Sequence, residues 1–505
     1  MAKLCLCLTG KTIEQDLFVL NRYRKYADLA ELRVDCLEPD EQLLIRRFPE
    51  QAGLPVILTI RRDMDGGYFT SGEGYRVNLL SRGLAFADSD RRRNFAYVDI
   101  EEDLKVPSLE EAARTFGTRI IRSFHNIQGV GEDTAGRLRS LSRVGDELVK
   151  GAVTPRSTEE LLQVIQAGKE TADLNKILVC MGDYGRALRI LAEKIGSAVS
   201  YASALEEGVP AAAGHLDIRE LAELYRFRQI GEKTKVYAVT GYPLKVTGSP
   251  KFFNTVFAHE NIDAVYVPFP ADSIGLFMKV AEEIGIAGMS VTVPYKEAIL
   301  SWLTQRSEEL RSIGACNTVL RCMPGGGAAG WYGTNTDAPG FSDSLLAFTG
   351  RKNFRGKKIT ILGAGGAARA VAAEVYRLGG RALILNRTAR RARELAFRYK
   401  FRWGGFDDQG AGLMEKFSDI IIQTTPAGTE GYGTKDPLEI YAFSGRETVM
   451  DLVYQPERTP FLERAALAGC RVLNGYDMLI RQAWYQYTQF TGREFPADLL
   501  SRVKF

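Results

Sequence analysis

Eight short apolar, β-rich runs separated by amphipathic stretches occupy the chain from Leu4 to about Ala204: LCLCL, LAELRVD, PVILTI, FAYVDIE, RIIRSF, ELVKGAV, KILVCM and AVSYAS. No other feature constrains the fold as much. Strands that alternate with helices must pair in parallel, and eight such units in about 220 residues make a compact (β/α)8 barrel. The intervening stretches read as helices: in STEELLQVIQA, Ser157 and Glu160 have capping-box spacing ahead of an apolar helical face.

The chain has 505 residues, too many for a single core, so further domains are expected. LAELYRFRQIGEKTK (221–235) breaks the first series with a polar tract, and VYAVTGYP then opens a second α/β series. With 66 Lys+Arg against 62 Asp+Glu, a formal charge of +4 and no basic block, nothing calls for nucleic acid, and small anionic ligands suit the balance better. No apolar run approaches the roughly 18 residues of a membrane helix, and MAKLCLCLTG begins a strand-like segment with no cleavable leader. Seven scattered cysteines with no paired CxxC motif argue for a reducing compartment and against structural zinc. The expectation is a cytoplasmic protein with small-molecule partners, no membrane or nucleic-acid partner and no metal.

Within the second series, KKITILGAGGAARAVAAEVYRLGGRALILNRT is a strand, a glycine turn, a helix and a second strand. Gly363 permits the tight turn, and Gly365 lets backbone approach a pyrophosphate that the helix start then holds, so Gly363, Ala364, Gly365, Gly366 and Ala367 form the candidate dinucleotide turn of a Rossmann domain. The second strand ends in NRTARR, where an NAD fold would usually place a carboxylate. Asn386, Arg387, Thr388 and Arg391 instead offer positive charge and donors to a 2′-phosphate, which favours NADP as cofactor. Arg390 and Arg393 are expected to be solvated.

From about Val236 to Phe505 the ordered motifs GYPLKVTGSP, SVTVPYKE, SIGACNTVL, GTNTD, GAGGAARA, NRT, DLVYQP and GYDMLIRQA resemble the shikimate dehydrogenase family. The resemblance implies Lys296 and Asp337 as the catalytic pair beside the substrate hydroxyl, where an ammonium can supply the proton that a newly reduced ketone needs. It implies Thr247, Ser249 and Tyr454 on the substrate carboxylate, Thr292, Asn317 and Gln482 on ring hydroxyls, and Thr424, Gly475 and Met478 at the cofactor. Three departures stand out: Thr247 replaces the usual first serine, Phe253-Asn254 replaces His-Asn, and Gln423-Thr424-Thr425-Pro426 replaces Asn-Ala-Thr-Ser. Threonine keeps the hydroxyl; the phenylalanine bears on the hinge and the substrate rim.

The first half resembles the type I 3-dehydroquinate dehydratases through ELRVD, TIR with DGG, VDIE, SFHN, ELVKGA and MGDYGRALR, in that order. That resemblance implies Lys150 as the Schiff-base lysine at the end of a barrel strand and His125 as general base and acid. Glu31, Arg33, Arg61, Asp99 and Glu101 follow as strand-end polar groups, with Glu31 and Asp99 orienting His125 or binding hydroxyls; Met181 and Arg189 also face substrate, and Arg189 clamps its carboxylate. Ala211 and His215 stand at the serine and glutamine positions of the family's Ser-Ala-Pro-Gly-Gln loop, and Asp65 replaces a glutamate; His215 either closes over substrate or is an exposed loop histidine. His259 is read as structural.

The two activities interlock, since the dehydration product is the ketone that the second half reduces. The expected organisation is a barrel over 1–225, a linker over 226–234, a substrate-binding domain over 235–337 completed by about 476–505, and a Rossmann NADP-binding domain over 338–475. The rival enzyme reading is a quinate/shikimate dehydrogenase fused to a weak or inactive dehydratase, suggested by Thr247, Ala211 and His215. The non-enzyme reading is a nucleotide-sensing scaffold, against which stand Lys150, His125, Lys296 and Asp337.

Overall fold

The computed structural model describes all residues except 86–89, 142, 208–211, 245–246, 323–329, 430–435, 497–498 and 500–505. The described residues divide into two compact units, one ending at Ile286 and the other beginning at Ala287.

All eight expected runs in the first unit are strands: β1 (Lys3–Leu8), β2 (Leu29–Arg33), β3 (Val56–Thr59), β4 (Tyr97–Glu101), β5 (Arg119–Asn126), β6 (Leu148–Val153), β7 (Lys176–Cys180) and β8 (Val199–Ser203). Their order is β7-β6-β5-β4-β3-β2-β1-β8, with chain neighbours paired in parallel. The ring closes between β7 and β8, where Ala198 N donates to Lys176 O at 2.8 Å and Leu178 N to Ser197 Oγ at 2.9 Å. The helix Thr158–Glu170 starts at Ser157, whose side chain accepts from Glu160 N, as the capping-box spacing requires.

Alternation along the strands decides what the barrel encloses. Leu29, Ile57, Tyr97, Ile121, Leu148 and Val199 belong to one buried apolar cluster inside the barrel. Side chains two residues further along share that face, which brings Glu31, Thr59, Asp99, Ser123, Lys150 and Tyr201 inward as the next layer. Another step of two adds Arg33, Arg61, Glu101, His125 and Ser203. Lys150 is therefore the third residue of six-residue β6, between inward-facing Leu148 and Ala152, rather than the strand's last residue.

The first unit continues beyond the barrel. β9 (Lys235–Gly241) and β10 (Ala264–Pro270) pair in parallel, accompanied by the helices Ser249–His259 and Ile274–Ile284. The latter packs on the barrel helix Thr158–Glu170. At its foot Asp272 Oδ1 accepts from Thr158 N at 3.1 Å while Asp272 N donates to Thr158 Oγ1 at 3.0 Å, and Lys169 Nζ pairs with Glu283 at 2.5 Å. These contacts explain why the compact division falls at Ile286 rather than near the polar tract at 226–234: about fifty residues of the expected substrate-binding segment pack with the barrel.

In the second unit, β11 (Ile286–Val291) pairs antiparallel with β13 (Thr318–Cys322), which pairs antiparallel with β14 (Gly330–Thr334); β14 also pairs in parallel with β12 (Gln305–Arg306). The Rossmann sheet comprises β15 (Lys358–Leu362), β16 (Arg381–Leu385), β17 (Arg402–Gly404), β18 (Ile420–Gln423), β19 (Thr448–Asp451) and β20 (Arg471–Leu473), in the order β17-β16-β15-β18-β19-β20 with every pair parallel. The helix Gly366–Arg377 follows the glycine turn, and Val371 and Val375 pack it onto Ile359 and Ile361 of β15. The helix Tyr476–Thr491 returns to lie along Asp337–Thr349, close enough that a Cβ on Gly340 would stand 2.8 Å from Gln482 Cβ. Among the described residues no helix is long and apolar enough to cross a membrane.

Candidate active sites

At the barrel mouth a cavity of about 250 Å³ is lined by Glu31, Arg33, Arg61, Asp65, His125, Lys150, Met181, Arg189, Tyr201 and His215, among others. A larger cavity, about 670 Å³, opens nearby against Thr9, Thr12, Asp16 and Phe18. Among the described residues its lining includes no lysine, arginine or histidine, so the smaller one holds the chemistry.

Lys150 Nζ donates to Asp99 Oδ2 at 2.7 Å and stands 4.6 Å over the Tyr201 ring. Asp99 also takes Arg61 Nη2 at 2.9 Å and the Ser123 hydroxyl. Burial pushes the Asp99 carboxyl up, but Arg61 and then Lys150 outweigh it and hold the group well below the usual carboxylate range. Glu101 binds Arg61 and, at 2.5 Å, Arg76. Asp99 and Glu101 do not line the cavity; their acceptor capacity is taken up in fixing Lys150 and Arg61.

His125 contacts Arg61, with 3.3 Å between Nδ1 and the guanidinium. This corrects the expectation that Glu31 and Asp99 orient it: Glu31 accepts from Thr59 Oγ1 at 2.9 Å and Cys7 Sγ at 3.1 Å, while Asp99 serves Lys150. The register gives the reason, since Glu31 lies across from Cys7 on β1. Desolvation, followed by the charges of Arg61 and Lys150, holds the His125 imidazole well below its ordinary value and therefore neutral. Arg33 is held by Asp35 through two hydrogen bonds of 2.9 and 2.6 Å.

Arg189 is the buried cation with the fewest partners in this site. Its Nη1 donates to Tyr201 O at 3.2 Å, while Nε and Nη2 have no partner among the described residues. Burial without a counter-ion pulls its pKa down to about 10. A guanidinium with two idle donors facing a cavity is arranged to take a carboxylate. His215 also lines this cavity, with Nδ1 2.6 Å from Ser203 Oγ. Burial, then Arg189, Arg33 and Lys150, lowers its pKa well below the usual value, so it is no exposed loop histidine. Ala211 lies outside the described residues. The sequence reading passed over Tyr201, Ser203 and Ser123, which the period-two count from Val199 and Ile121 would have placed on the inner face.

In the second unit Lys296 Nζ lies 2.5 Å from Asp337 Oδ2. Asn317 Nδ2 donates to Asp337 Oδ1 at 2.8 Å and to Thr336 Oγ1 at 2.9 Å, with Gln482 Oε1 at 3.4 Å. Cys316 N donates to Lys296 O at 2.7 Å. Four separately predicted residues thus converge: Lys296, Asp337, Asn317 and Gln482. Thr292 begins the turn into Lys296, its carbonyl accepting from Tyr295 N at 2.9 Å.

A cavity of about 660 Å³ is lined by Lys296, Gly363, Ala364, Gly365, Gly366, Ala367, Asn386, Arg387, Thr388, Arg391 and Thr424. Gly363 has φ +114° and a Cβ there would meet Thr424 Oγ1 at 2.5 Å, whereas a Cβ on Gly365 would meet nothing within 4 Å. The first glycine is required by the turn; the second leaves open space for a phosphate against the helix start. Arg390 is paired with Glu394 at 2.9 Å, while Arg387 and Arg391 have no acidic partner among the described residues. The donor set fits a phosphorylated dinucleotide. Gly475, Met478 and Tyr454 do not line this cavity. Gly475 closes a tight turn against Leu452 O, and Met478 is in the apolar core.

Thr247 and Ser249 belong to the first unit, where Thr247 Oγ1 accepts from Ser249 N at 3.3 Å. Phe253 is fully buried and stacks on Tyr266 with 4.4 Å between ring centroids, and Asn254 bonds both backbone groups of Tyr266. Phe253 is thus a core residue and leaves the substrate rim untouched. His259 is on the surface beside Glu260.

The folds and sites define a chain with two catalytic bodies, a lysine-centred lyase barrel and a nicotinamide-dependent oxidoreductase. A family model for type I 3-dehydroquinase matches residues 4–232, and one for the shikimate dehydrogenase substrate binding domain matches 239–319. A bifunctional 3-dehydroquinate dehydratase/shikimate dehydrogenase of Arabidopsis thaliana is 29% identical over 94% of this chain and 80% of its own. The shikimate dehydrogenase (NADP(+)) of Moorella thermoacetica is 36% identical over 54% of this chain and 94% of its own, and that of Pyrococcus abyssi 34% identical over 53% and 97%. The solved shikimate dehydrogenase of Aquifex aeolicus aligns over 54% of this chain and 98% of its own, at 29% identity and a TM-score of 0.49. The chain belongs to the shikimate dehydrogenase family, with a type I 3-dehydroquinase domain ahead of it.

Proposed function

We propose that the chain is a bifunctional enzyme that dehydrates 3-dehydroquinate to 3-dehydroshikimate in the barrel and reduces that product to shikimate with NADPH in the second half. The observation that carries the first reaction is Lys150, enclosed at the cavity wall beside a neutral histidine and a guanidinium with idle donors.

Arg189 takes the substrate carboxylate and places the ketone against Lys150. Lys150 Nζ passes one proton to the ketone oxygen as it attacks, and departure of that oxygen as water leaves an iminium on Nζ, whose positive charge Asp99 and the Tyr201 ring already face. The iminium acidifies the neighbouring C–H. His125 removes that proton as an uncharged base and returns it to the departing hydroxyl; hydrolysis then frees Lys150. Glu31, Arg33, Met181 and His215 complete the wall that holds the ring.

For the second reaction, bound NADPH supplies hydride to the ketone carbon. Gly363 to Ala367 would hold the pyrophosphate, with Thr424 behind the turn, and Asn386, Arg387, Thr388 and Arg391 would hold the 2′-phosphate. Lys296 gives its proton to the ketone oxygen as charge develops, Asp337 orients the ammonium, and solvent returns a proton to the amine after product leaves. Asn317, Gln482 and Thr292 bind ring hydroxyls, and Tyr454 the carboxylate. The domain assignment follows these roles: a barrel to 225, a substrate domain from 235 to 337 completed by the carboxy-terminal helix, and a nucleotide domain from 338 to 475. All seven cysteines are free thiols, which supports a cytoplasmic setting.

Reciprocal single substitutions test this reading. Lys150→Ala abolishes dehydration and leaves NADP-dependent shikimate oxidation unchanged; Lys296→Ala does the reverse. Loss of both activities in either variant, or of neither, contradicts it.

A further inference from the structure

Lys296 has a neighbour with no part in the chemistry above. Glu297 Oε2 pairs with Arg369 Nη2 at 2.8 Å. Arg369 lies one turn beyond Gly366 on the glycine-turn helix Gly366–Arg377, so the two positions share a helix face. Gly366 receives the stem of Lys296 so closely that a Cβ there would stand 2.8 Å from Lys296 Cβ and 3.0 Å from Cδ. Two consecutive residues of the substrate-side loop therefore seat on two points of one helix: Lys296 by steric fit, Glu297 by charge. Cys316 N holds the Lys296 carbonyl from the other side at 2.7 Å.

We infer that the Glu297–Arg369 pair is a positioning latch for Lys296: it seats the proton-donating loop on the glycine-turn helix and so fixes the distance from the ammonium to the ketone being reduced. The latch rests on the reading of Lys296 as proton donor. Glu297 itself is half-exposed at the wall of the cavity that Lys296 also lines, with its carboxylate turned to Arg369. The second unit's two lobes, one around each of its sheets, have a separate tie in Tyr399 Oη, which donates to Ser312 O at 3.0 Å. Losing the pair therefore loosens the loop without parting the lobes, and the penalty falls on turnover. A misplacement of the order of an ångström between reacting groups costs roughly ten- to a hundredfold in rate.

The test uses the full-length enzyme, with Glu297→Ala, Arg369→Ala and the charge swap Glu297→Arg/Arg369→Glu, assayed for shikimate oxidation with NADP+. The expected result is a kcat about tenfold lower in each single variant, KM for shikimate and NADP+ within about threefold of wild type, and substantial recovery of kcat in the swap. Unchanged dehydration by the barrel and an unchanged melting temperature certify the fold. Wild-type kcat in Glu297→Ala overturns the latch, as does a loss carried by KM for NADP+, which would make Arg369 a cofactor ligand. Absence of shikimate oxidation in the wild-type enzyme would instead sink the parent reading.

Discussion

Lys150 Nζ and Asp99 Oδ2 lie 2.7 Å apart inside a barrel wall from which Asp99 itself does not reach the cavity. The carboxylate thus acts on substrate only through the lysine and through Arg61, which it also binds at 2.9 Å. That relationship separates the charge that holds the lysine in place from the groups that meet the ligand.

Arg189 keeps two guanidinium nitrogens without partners among the described residues and a pKa drawn down to about 10 by burial. Arg189→Ala is expected to lower kcat/KM for dehydroquinate by about a hundredfold or more, mostly through KM, as loss of a charge-assisted two-point contact does. Steady-state kinetics with both substrates checks this, with shikimate oxidation unaffected.

The pH dependence of dehydration follows from His125. Desolvation, Arg61 and Lys150 all push its protonation to lower pH than the ordinary midpoint of 6.5. A general base works while neutral, and a depressed pKa keeps it neutral further into acid. The acid limb of kcat/KM for dehydroquinate should accordingly fall below pH 6.5 rather than at it. A profile already declining at pH 7 would remove His125 from the base role.

How much of this was legible in the sequence varies with the physical range of the cause. Period-two alternation is local, so all eight strands and the inward face carrying Asp99, His125 and Lys150 were readable from residues a few positions apart. The glycine turn was equally plain, because Gly363 and the following helix are contiguous. What failed depended on which strand-end charges neighbour which across the barrel. The partner of His125 is Arg61, just beyond the end of β3, and the docking of Thr158 on Asp272, 114 positions away in sequence, leaves no mark in either segment. Tyr201 was missed for another reason: an aromatic on a buried strand reads as core, and only its place over Lys150 shows otherwise.

Cofactor preference rests on Arg387 and Arg391, which no acidic residue among those described neutralises, in contrast to Arg390. The double variant Arg387→Ala/Arg391→Ala should raise KM for NADP+ by about tenfold or more and leave the weaker use of NAD+ nearly unchanged, since only the 2′-phosphate loses its partners. Parallel titration of the two cofactors distinguishes this from a general loss of binding.

The most direct measurement is reductive trapping: the intact enzyme is incubated with dehydroquinate and borohydride, digested, and its peptides weighed by mass spectrometry. The expected adduct sits on Lys150 alone, scales with loss of dehydratase activity, and is absent from Lys150→Ala. No adduct on the active enzyme, or one on another lysine, would contradict an imine at this position.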